Sequence, residues 1–218
     1  WHNYENEQPM ISKGRPGATQ GQHYPQFSTD ERWFNTGGTG TTTSPARYDA
    51  QTPLFQTFPN ANELHWYVYK GDPCTGNVVY AQNGHLIQKG GLFLRRKSAI
   101  VAYLKANEGY PSTLTWDDLK EGYKTSVTAA PIDYRNVYNY VQKQISFSYA
   151  PPSDHFFLPF AGRYEFGWPD RFGEFGGFWS SSATPNNNDY AYVLTFGTNN
   201  LYVGHLPRRN GFAIQPFE

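Results

Sequence analysis

The 218 residues contain one cysteine, Cys74. A single thiol excludes an intrachain disulfide framework, a Cys-rich zinc site and chemistry that needs paired thiols, so stability has to come from packing. Charge of one sign is not in excess: 18 Lys and Arg face 18 Asp and Glu, a formal net charge of +0. There is thus no global field to draw nucleic acid or an anionic membrane surface. No apolar run approaches the length of a bilayer-spanning helix, and no leader-like stretch opens the chain. An opening Trp1 in place of Met raises the expectation that a signal, anchor or shaft segment was removed upstream.

What is present is aromatic and loop-forming. Aromatics make up 18% of the chain, charged residues 17%, and there are 21 Gly and 16 Pro. That mixture predicts a loop-rich globular domain with short strands, not a helical bundle or an acidic disordered tail. The 17 Tyr supply rigid amphipathic contact area at small entropic cost, which suits a binding surface and equally a core.

Residues 1–58 are polar and weakly periodic, with GRPGATQGQ and FNTGGTGTTTSPAR, and read as a loop-rich segment that could wrap a main domain over 59–218. The tract Gly38-Thr39-Gly40 lacks the Lys-Ser/Thr of a phosphate loop and reads as a flexible loop. In FPNANELHWYVYKGDP the spacing predicts a helix over 61–70, with Asn60 or Asn62 as N-cap, Leu64, Tyr67 and Val68 on one face, and Gly71 at the end. HLIQKGGLFLRRKS reads as a bent pair of strands with Gly90-Gly91 at a bulge or turn, and Arg95-Arg96-Lys97 as a solvated strand end. STLTWDDLKEGY carries a capping signature, Thr115 with Asp118 three residues on. Ile132, Val137, Tyr140 and Val141 recur at roughly helical spacing and predict a helix near 132–145. From Phe156 onward the patterns are short strands between Gly, Pro and Asn clusters. Helices first and strands last predict an α+β domain with an antiparallel sheet.

Catalytic patterns are scarce. His2, His23, His65, His85, His155 and His205 do not stand at metal-ligand spacing, and HExxH is absent. Asp154-His155 fits a strand-entry hydrogen bond better than an oriented general base, since no nucleophile is marked by motif. Ser180, Ser181 and Ser182 lack a nucleophile elbow. Asp170 and Glu174 read as solvated loop carboxylates, and Asp117 and Asp118 as first-turn charges favoured by the helix dipole. The chain is therefore expected to be non-enzymatic, with no cofactor and no metal ligands.

The sharper signal is alternation. In AYVLTF, Tyr192, Leu194 and Phe196 fall on one face and Val193, Thr195 and then Gly197 on the other. In LYVGH, Leu201 and Val203 continue the bulky apolar face, and Tyr202 and Gly204 oppose them. One face is uniform and the other chemically mixed.

The run LPFAGRYEFG…FWSSS…AYVLTFGTNNLYVGHLPRRNGFAIQPFE resembles the bacterial "major paralogous domain" family of the C-type lectin-like fold. Within that family it is most similar to variable proteins of diversity-generating retroelements, of the Bacteroidetes or phage type. NELHWYVYKGDP and GHLIQKGGLFLRRKS look like its amino half, so the resemblance covers roughly residues 60–218. It implies an α+β, C-type lectin-like fold, two helices packed on a small antiparallel sheet with long loops, and a variable region over about 160–218. It also implies that templated Asn codons have been rewritten at Val193, Thr195, Gly197, Tyr202, Gly204, His205, Leu206, Pro207 and Arg209. All nine are residues an Asn codon reaches by changes at its adenines, and no Lys follows Lys143. Trp179, Phe212 and Ile214 are expected to anchor the core. Asp189 and Tyr190, after Asn186-Asn187-Asn188, could extend the variable patch, as could Tyr164, Phe166 and Phe178, and equally these are loop residues or core aromatics.

The function this implies is non-enzymatic binding of a protein or glycan ligand on another cell surface, by an adhesin or phage receptor-binding protein at a cell surface or phage tail. No nucleic-acid partner or membrane insertion is expected, and the oligomeric state is open. The alternatives are an undiversified structural or glycan-binding module, and a formylglycine-generating enzyme, which needs paired cysteines that a lone Cys74 does not provide. A calcium-dependent lectin would carry EPN, QPD or WND. All three are absent, and the WPD of Trp168–Asp170 is a poor substitute.

Overall fold

The computed structural model describes residues 53–165, 168–185, 190–207, 210–213 and 217–218. The tract Gly38-Thr39-Gly40, Phe166, Asn186-Asn187-Asn188, Asp189, Arg209 and Ile214 lie outside the described residues, as does the side chain of Tyr164. In chain order the elements are α1 (Pro53–Gln56), α2 (Ala61–Lys70), β1 (Cys74–Gln82), β2 (His85–Arg95), α3 (Lys97–Asn107) and α4 (Trp116–Lys120). Then come β3 (Val141–Gln144), β4 (Ser146–Phe147), β5 (His155–Pro159), β6 (Arg163–Glu165), β7 (Trp168–Asp170), β8 (Gly176–Ala183), β9 (Tyr190–Phe196), β10 (Asn200–Pro207) and β11 (Gly211–Phe212). The strands form sheets of order β4-β1-β2-β5, β3-β10-β9-β8 and β11-β6-β7. Pairing is antiparallel except between β1 and β4. The domain is α+β, as its order of patterns predicts.

Helix α2 has the expected bounds because its start is fixed twice over. Asn60 accepts from the Glu63 N–H at 2.9 Å, and the Glu63 carboxylate accepts from the Asn60 N–H at 2.7 Å. That reciprocal capping box satisfies two donors the first turn would otherwise leave bare. The Ala61 N–H donates to Ser182 Oγ at 3.1 Å, so the serine run of β8 also serves the helix start. Every residue from Ala61 to Val68 is buried, not one stripe only. Its polar members are paired: Asn62 donates to Lys120 O and Asp133 Oδ1 and accepts from the Tyr134 N–H, and Glu63 accepts from Trp116 Nε1. A central helix results, held by hydrogen bonds at its amino end and apolar contact beyond.

Three expectations are corrected. β2 is one continuous strand, paired residue for residue with β1 from Cys74↔Phe93 to Gln82↔His85, with no bulge at Gly90-Gly91. The glycines are there for close approach: a Cβ on Gly91 would lie 2.2 Å from Leu158 O and 2.6 Å from the Phe157 ring. Arg96 and Lys97 do not prolong a strand. They open α3, a helix the reading above did not anticipate, with Arg96 as its N-cap and Ile100 and Leu104 buried. Arg95 ends β2 and meets Asp72 and Asp154.

The helix expected near 132–145 does not form. Ile132 exchanges backbone hydrogen bonds with Tyr123 at 2.8 and 2.9 Å. The Asp133 carboxylate gathers the Arg135 N–H, the Arg135 side chain and Asn136 Nδ2, a local alternative to helical bonds. Ile132, Val137 and Tyr140, the periodic apolar residues, stay exposed. Past them the chain adds to β10 as strand β3.

Two apolar cores result. The larger joins α2 to Leu92, Leu94, Phe156 and Leu158 and to Tyr192, Leu194, Phe196, Leu201 and Val203 of β9 and β10. The smaller lies across the β8–β9 half of the sheet and holds Phe55, Phe58, Trp179, Ala191, Val193 and Phe212. Phe55 and Phe58 belong to residues 53–58, so this end of the loop-rich segment is part of the folded body.

Candidate functional site

β9 lies between β8 and β10, and β10 between β9 and β3. The register places Leu201 opposite Phe196, Tyr202 opposite Thr195, Val203 opposite Leu194 and Gly204 opposite Val193. Because directly opposed residues share a face, Tyr192, Leu194, Phe196, Leu201 and Val203 lie together, and all are fully buried in the larger core. This is the uniform face expected from the alternation.

The mixed face is divided. Its β8–β9 half is covered by the smaller core, so Val193 is only 1% exposed and Thr195 9%. Both were expected on an open surface, and both are corrected to interior positions. Parity separates two faces but does not say which face is bare, and here Phe55, Phe58, Trp179 and Phe212 close over it. Trp179 and Phe212 meet edge to face at 4.9 Å, the anchoring contact expected of them. Gly204 is buried as well, beneath Tyr140: a Cβ there would stand 3.0 Å from Tyr140 Cδ2. Phe178 is 1% exposed and belongs to the larger core, not to the patch.

The β10–β3 half stays open. Tyr202 is half-buried, its ring centroid 5.9 Å from that of Tyr140, and Gln142 and Gln144 of β3 beside it are exposed. Leu206 leans on the smaller core, and Gly197 closes the β9–β10 turn with its N–H on Asn200 O at 3.0 Å. Pro207 and Tyr190, paired in register, are half-buried where the two strands end.

His205 is opposite Tyr192 and so belongs by register to the core face, but beyond the main core's cover. Its ring stands 4.2 Å from Tyr138 and 5.5 Å edge-on from Tyr190, and its Nε2 is hydrogen-bonded to the Tyr138 hydroxyl. Burial pulls its pKa below the ordinary imidazole value. Tyr138 and Tyr140 are 47% and 56% exposed. The sequence assigns neither to the surface patch, because the spacing of Tyr140 with its neighbours predicts a helix there.

The segment 137–140 is pinned from beneath. The Tyr192 hydroxyl donates to Val137 O at 2.7 Å and accepts from the Asn139 N–H at 3.3 Å. Asn139 Oδ1 accepts from the Tyr140 N–H, and its Nδ2 donates to His65 Nε2 at 3.0 Å. The other nitrogen, Nδ1, donates to Ala61 O at 2.7 Å, and the ring stacks on Tyr134 at 3.6 Å. Burial holds His65 neutral, its pKa pulled down to about 4, and pushes the Tyr192 hydroxyl up to about 12. Five aromatic rings thus border one strand, Tyr140 with Tyr202 and Tyr138 with His205 and Tyr190.

The other polar pairs have structural work. His155 is buried and bonded to Asp154 Oδ1 at 2.8 Å and Asp72 O at 3.0 Å, which ties the β5 entry to the end of α2. Ser180 Oγ lies 3.1 Å from both Ser182 O and the Ser182 N–H. Asp170 accepts from Arg163 at 2.9 Å, and Glu174 is exposed. Among the described residues no group of three or more His, Cys, Asp or Glu side chains gathers where it could hold a metal ion. No described helix is long and apolar enough to cross a membrane.

Comparison with protein-family models, with curated proteins and with solved structures yields no match to this chain.

Proposed function

We propose that this chain is a non-enzymatic recognition domain of C-type lectin-like architecture that grips its ligand through the open half of the β3–β10 face and the rings at its end. The observation that carries the reading is the setting of Tyr202 and His205. Both are partly exposed: Tyr202 opposes the fully buried Leu201 and Val203, whereas His205 shares their face but lies past the end of the main core. Tyrosine and histidine on a rigid strand contribute contact area with little ordering cost, the economy of an antibody paratope. Tyr138 and Tyr140, fixed through Asn139, extend the same surface from a neighbouring segment.

The ligand is a protein or glycan on another surface, met at a cell surface or phage tail. In the retroelement reading, Tyr202, His205, Leu206 and Pro207 are written positions, and each is within reach of an Asn codon through its adenines. One observation favours a second reading, an undiversified module: Val193, Thr195 and Gly204, three of the proposed written positions, are buried.

Two experiments separate these. Flanking DNA that holds a near-copy of the 3′ end differing only at adenines, beside a reverse transcriptase gene, supports diversification, and absence of both removes it. Binding of the labelled chain to a glycan array and a panel of bacterial cells is expected to be lost in Tyr202→Ala and His205→Ala without loss of fold. Retained binding in both variants rejects this surface as the site.

A further inference from the structure

On the other face of β3 the chain encloses a cleft of about 320 Å³. Three cations line it, Lys70, Arg95 and Lys143, against two carboxylates, Asp72 and Glu108. Lys70 and Glu108 satisfy each other, with Nζ 2.6 and 2.8 Å from the two carboxylate oxygens. Arg95 is held more loosely, at 3.2 Å from Lys70 O, 3.3 Å from Asp154 and 3.4 Å from Asp72. A guanidinium has five donors, so these contacts leave capacity to spare.

Lys143 is the least compensated. Its register partner is Leu201, so it springs from the core face, and its ammonium donates to Val68 O at the end of α2 at 2.9 Å. Among the described residues no carboxylate stands within ion-pair distance of it. Burial depresses its pKa, with Asp72 opposing and Lys70 adding to that shift, so all three lie within electrostatic reach of one another. A half-buried ammonium with one backbone acceptor retains two donors that an incoming oxygen anion can take. Tyr69 and Tyr103 also line the cleft and remain 43% and 37% exposed, with the Arg95 guanidinium over the Tyr103 ring at 4.9 Å. Asp72, 63% exposed at the side chain, adds an acceptor at the rim.

We propose that this cleft binds a small carboxylate bearing hydroxyl groups, a sugar acid in chemical class, with its carboxylate on Lys143 and Arg95 and a hydroxyl on Asp72. The exposed Tyr69 ring offers a surface for the C–H face of a pyranose ring within a largely polar lining, and the volume lies at the small end of the ligand-site range. The site is distinct from the Tyr202 surface, since Gln142 and Lys143 are adjacent and point to opposite faces of β3.

Isothermal titration calorimetry with glucuronate, glucose and sodium sulfate tests it, with amide shift mapping to locate the contact. Glucuronate is expected to bind and to shift residues around Lys143, with glucose and sulfate each weaker by about tenfold or more. Lys143→Gln is expected to weaken glucuronate by about tenfold. Asp72→Asn, which keeps the rim acceptor and a residue type that tolerates its positive φ, is expected to tighten it a few-fold by removing a repelling charge. Tyr202→Ala is expected to leave it unchanged even if the surface of the preceding section fails. No response up to about 50 mM, beyond the millimolar range of a site with few polar contacts, overturns the proposal. So do equal responses to glucuronate and glucose or to glucuronate and sulfate, a folded Lys143→Gln that binds as the parent does, or an Asp72→Asn that binds no tighter.

Discussion

The division of the mixed face makes one comparison decisive: asparagine placed at Val193 and at Tyr202, one strand apart. Both are positions that templated diversification is proposed to write, and asparagine is the residue the template itself encodes. At Val193 the substitution removes a side chain only 1% exposed among Trp179, Phe212 and Ala191. Loss of its apolar burial costs about 1.5 kcal/mol or more. A buried amide without partners adds about 1–3 kcal/mol. The sum is about 2.5–4.5 kcal/mol or more. At Tyr202 the side chain is half-buried, its ring contact is with the exposed Tyr140, and solvent reaches the new amide. A cost below about 1 kcal/mol is expected there, as for substitutions away from buried features. For a chain of this size each kcal/mol moves Tm by about 2–4 °C. Val193→Asn should therefore lower Tm by at least about 5 °C and Tyr202→Asn by less than about 4 °C, with urea denaturation at matched m-values as the second measure. Equal losses would refute the assignment of Tyr202 to an open surface. A Val193→Asn variant as stable as the parent would refute the closed half of the face and return Val193 to the writable set.

Further outcomes follow from the same contacts. Removing the Ser182 hydroxyl (Ser182→Ala) leaves the buried Ala61 N–H without its acceptor and should cost about 1–2 kcal/mol in urea melts; no change would mean water takes its place. Gly91→Ala, with its Cβ 2.2 Å from a backbone oxygen of β5, should cost several kcal/mol or prevent folding, whereas Gly204→Ala meets only the movable Tyr140 ring and should cost less than about 1 kcal/mol. Stability should also fall with acid through His65. Its folded pKa is about 4, below the ordinary imidazole value of 6.5, so below pH 6.5 the unfolded chain takes up a proton that the folded chain refuses. The loss begins as pH falls through 6.5, reaches about 3 kcal/mol by pH 4, and is absent above neutrality. A His65→Gln variant should show a shallower decline between pH 6.5 and 4, and an unchanged slope would rule out His65 as its source.

What the sequence revealed depended on whether a signal was local. The capping box at Thr115 was readable because donor and acceptor are three residues apart, and the helix start at Asn60 or Asn62 was readable from the N-cap residue type. The buried members of β9 and β10 were readable because period-2 alternation is enforced by the pleat. The helix expected over 132–145 failed because its apolar residues were spaced for a buried stripe that the fold leaves in solvent, while Asp133 gathered the nearby donors. β2 appeared bent because two glycines usually mark a break. Here they make room for Phe157 and Phe160, aromatics nearly 70 residues away in the chain. The site was half legible for the same reason. Tyr202, His205 and Tyr190 could be named from their own strands. Tyr138 and Tyr140 could not, since their place beside β10 rests on bonds from Val137 and Asn139 to Tyr192 and His65 of two distant segments.

Those contacts bear on how much of the strand could change without loss of fold. β10 lends one face to the larger core through Leu201 and Val203, and β9 lends both faces to the interior. A substitution in β9 therefore disturbs packing whichever way its side chain points, whereas in β10 the outcome alternates. Leu201 and Val203 cannot shrink without a cavity, and Tyr202 can. Freedom on this sheet is set by where each core ends as well as by parity. Tyr202, His205 and Pro207 have that freedom, and Val193 does not. Any selection for new partners would act through β10 and the ring-bearing segment beside it, while β9 supplies the rigidity that gives such contacts their small ordering cost.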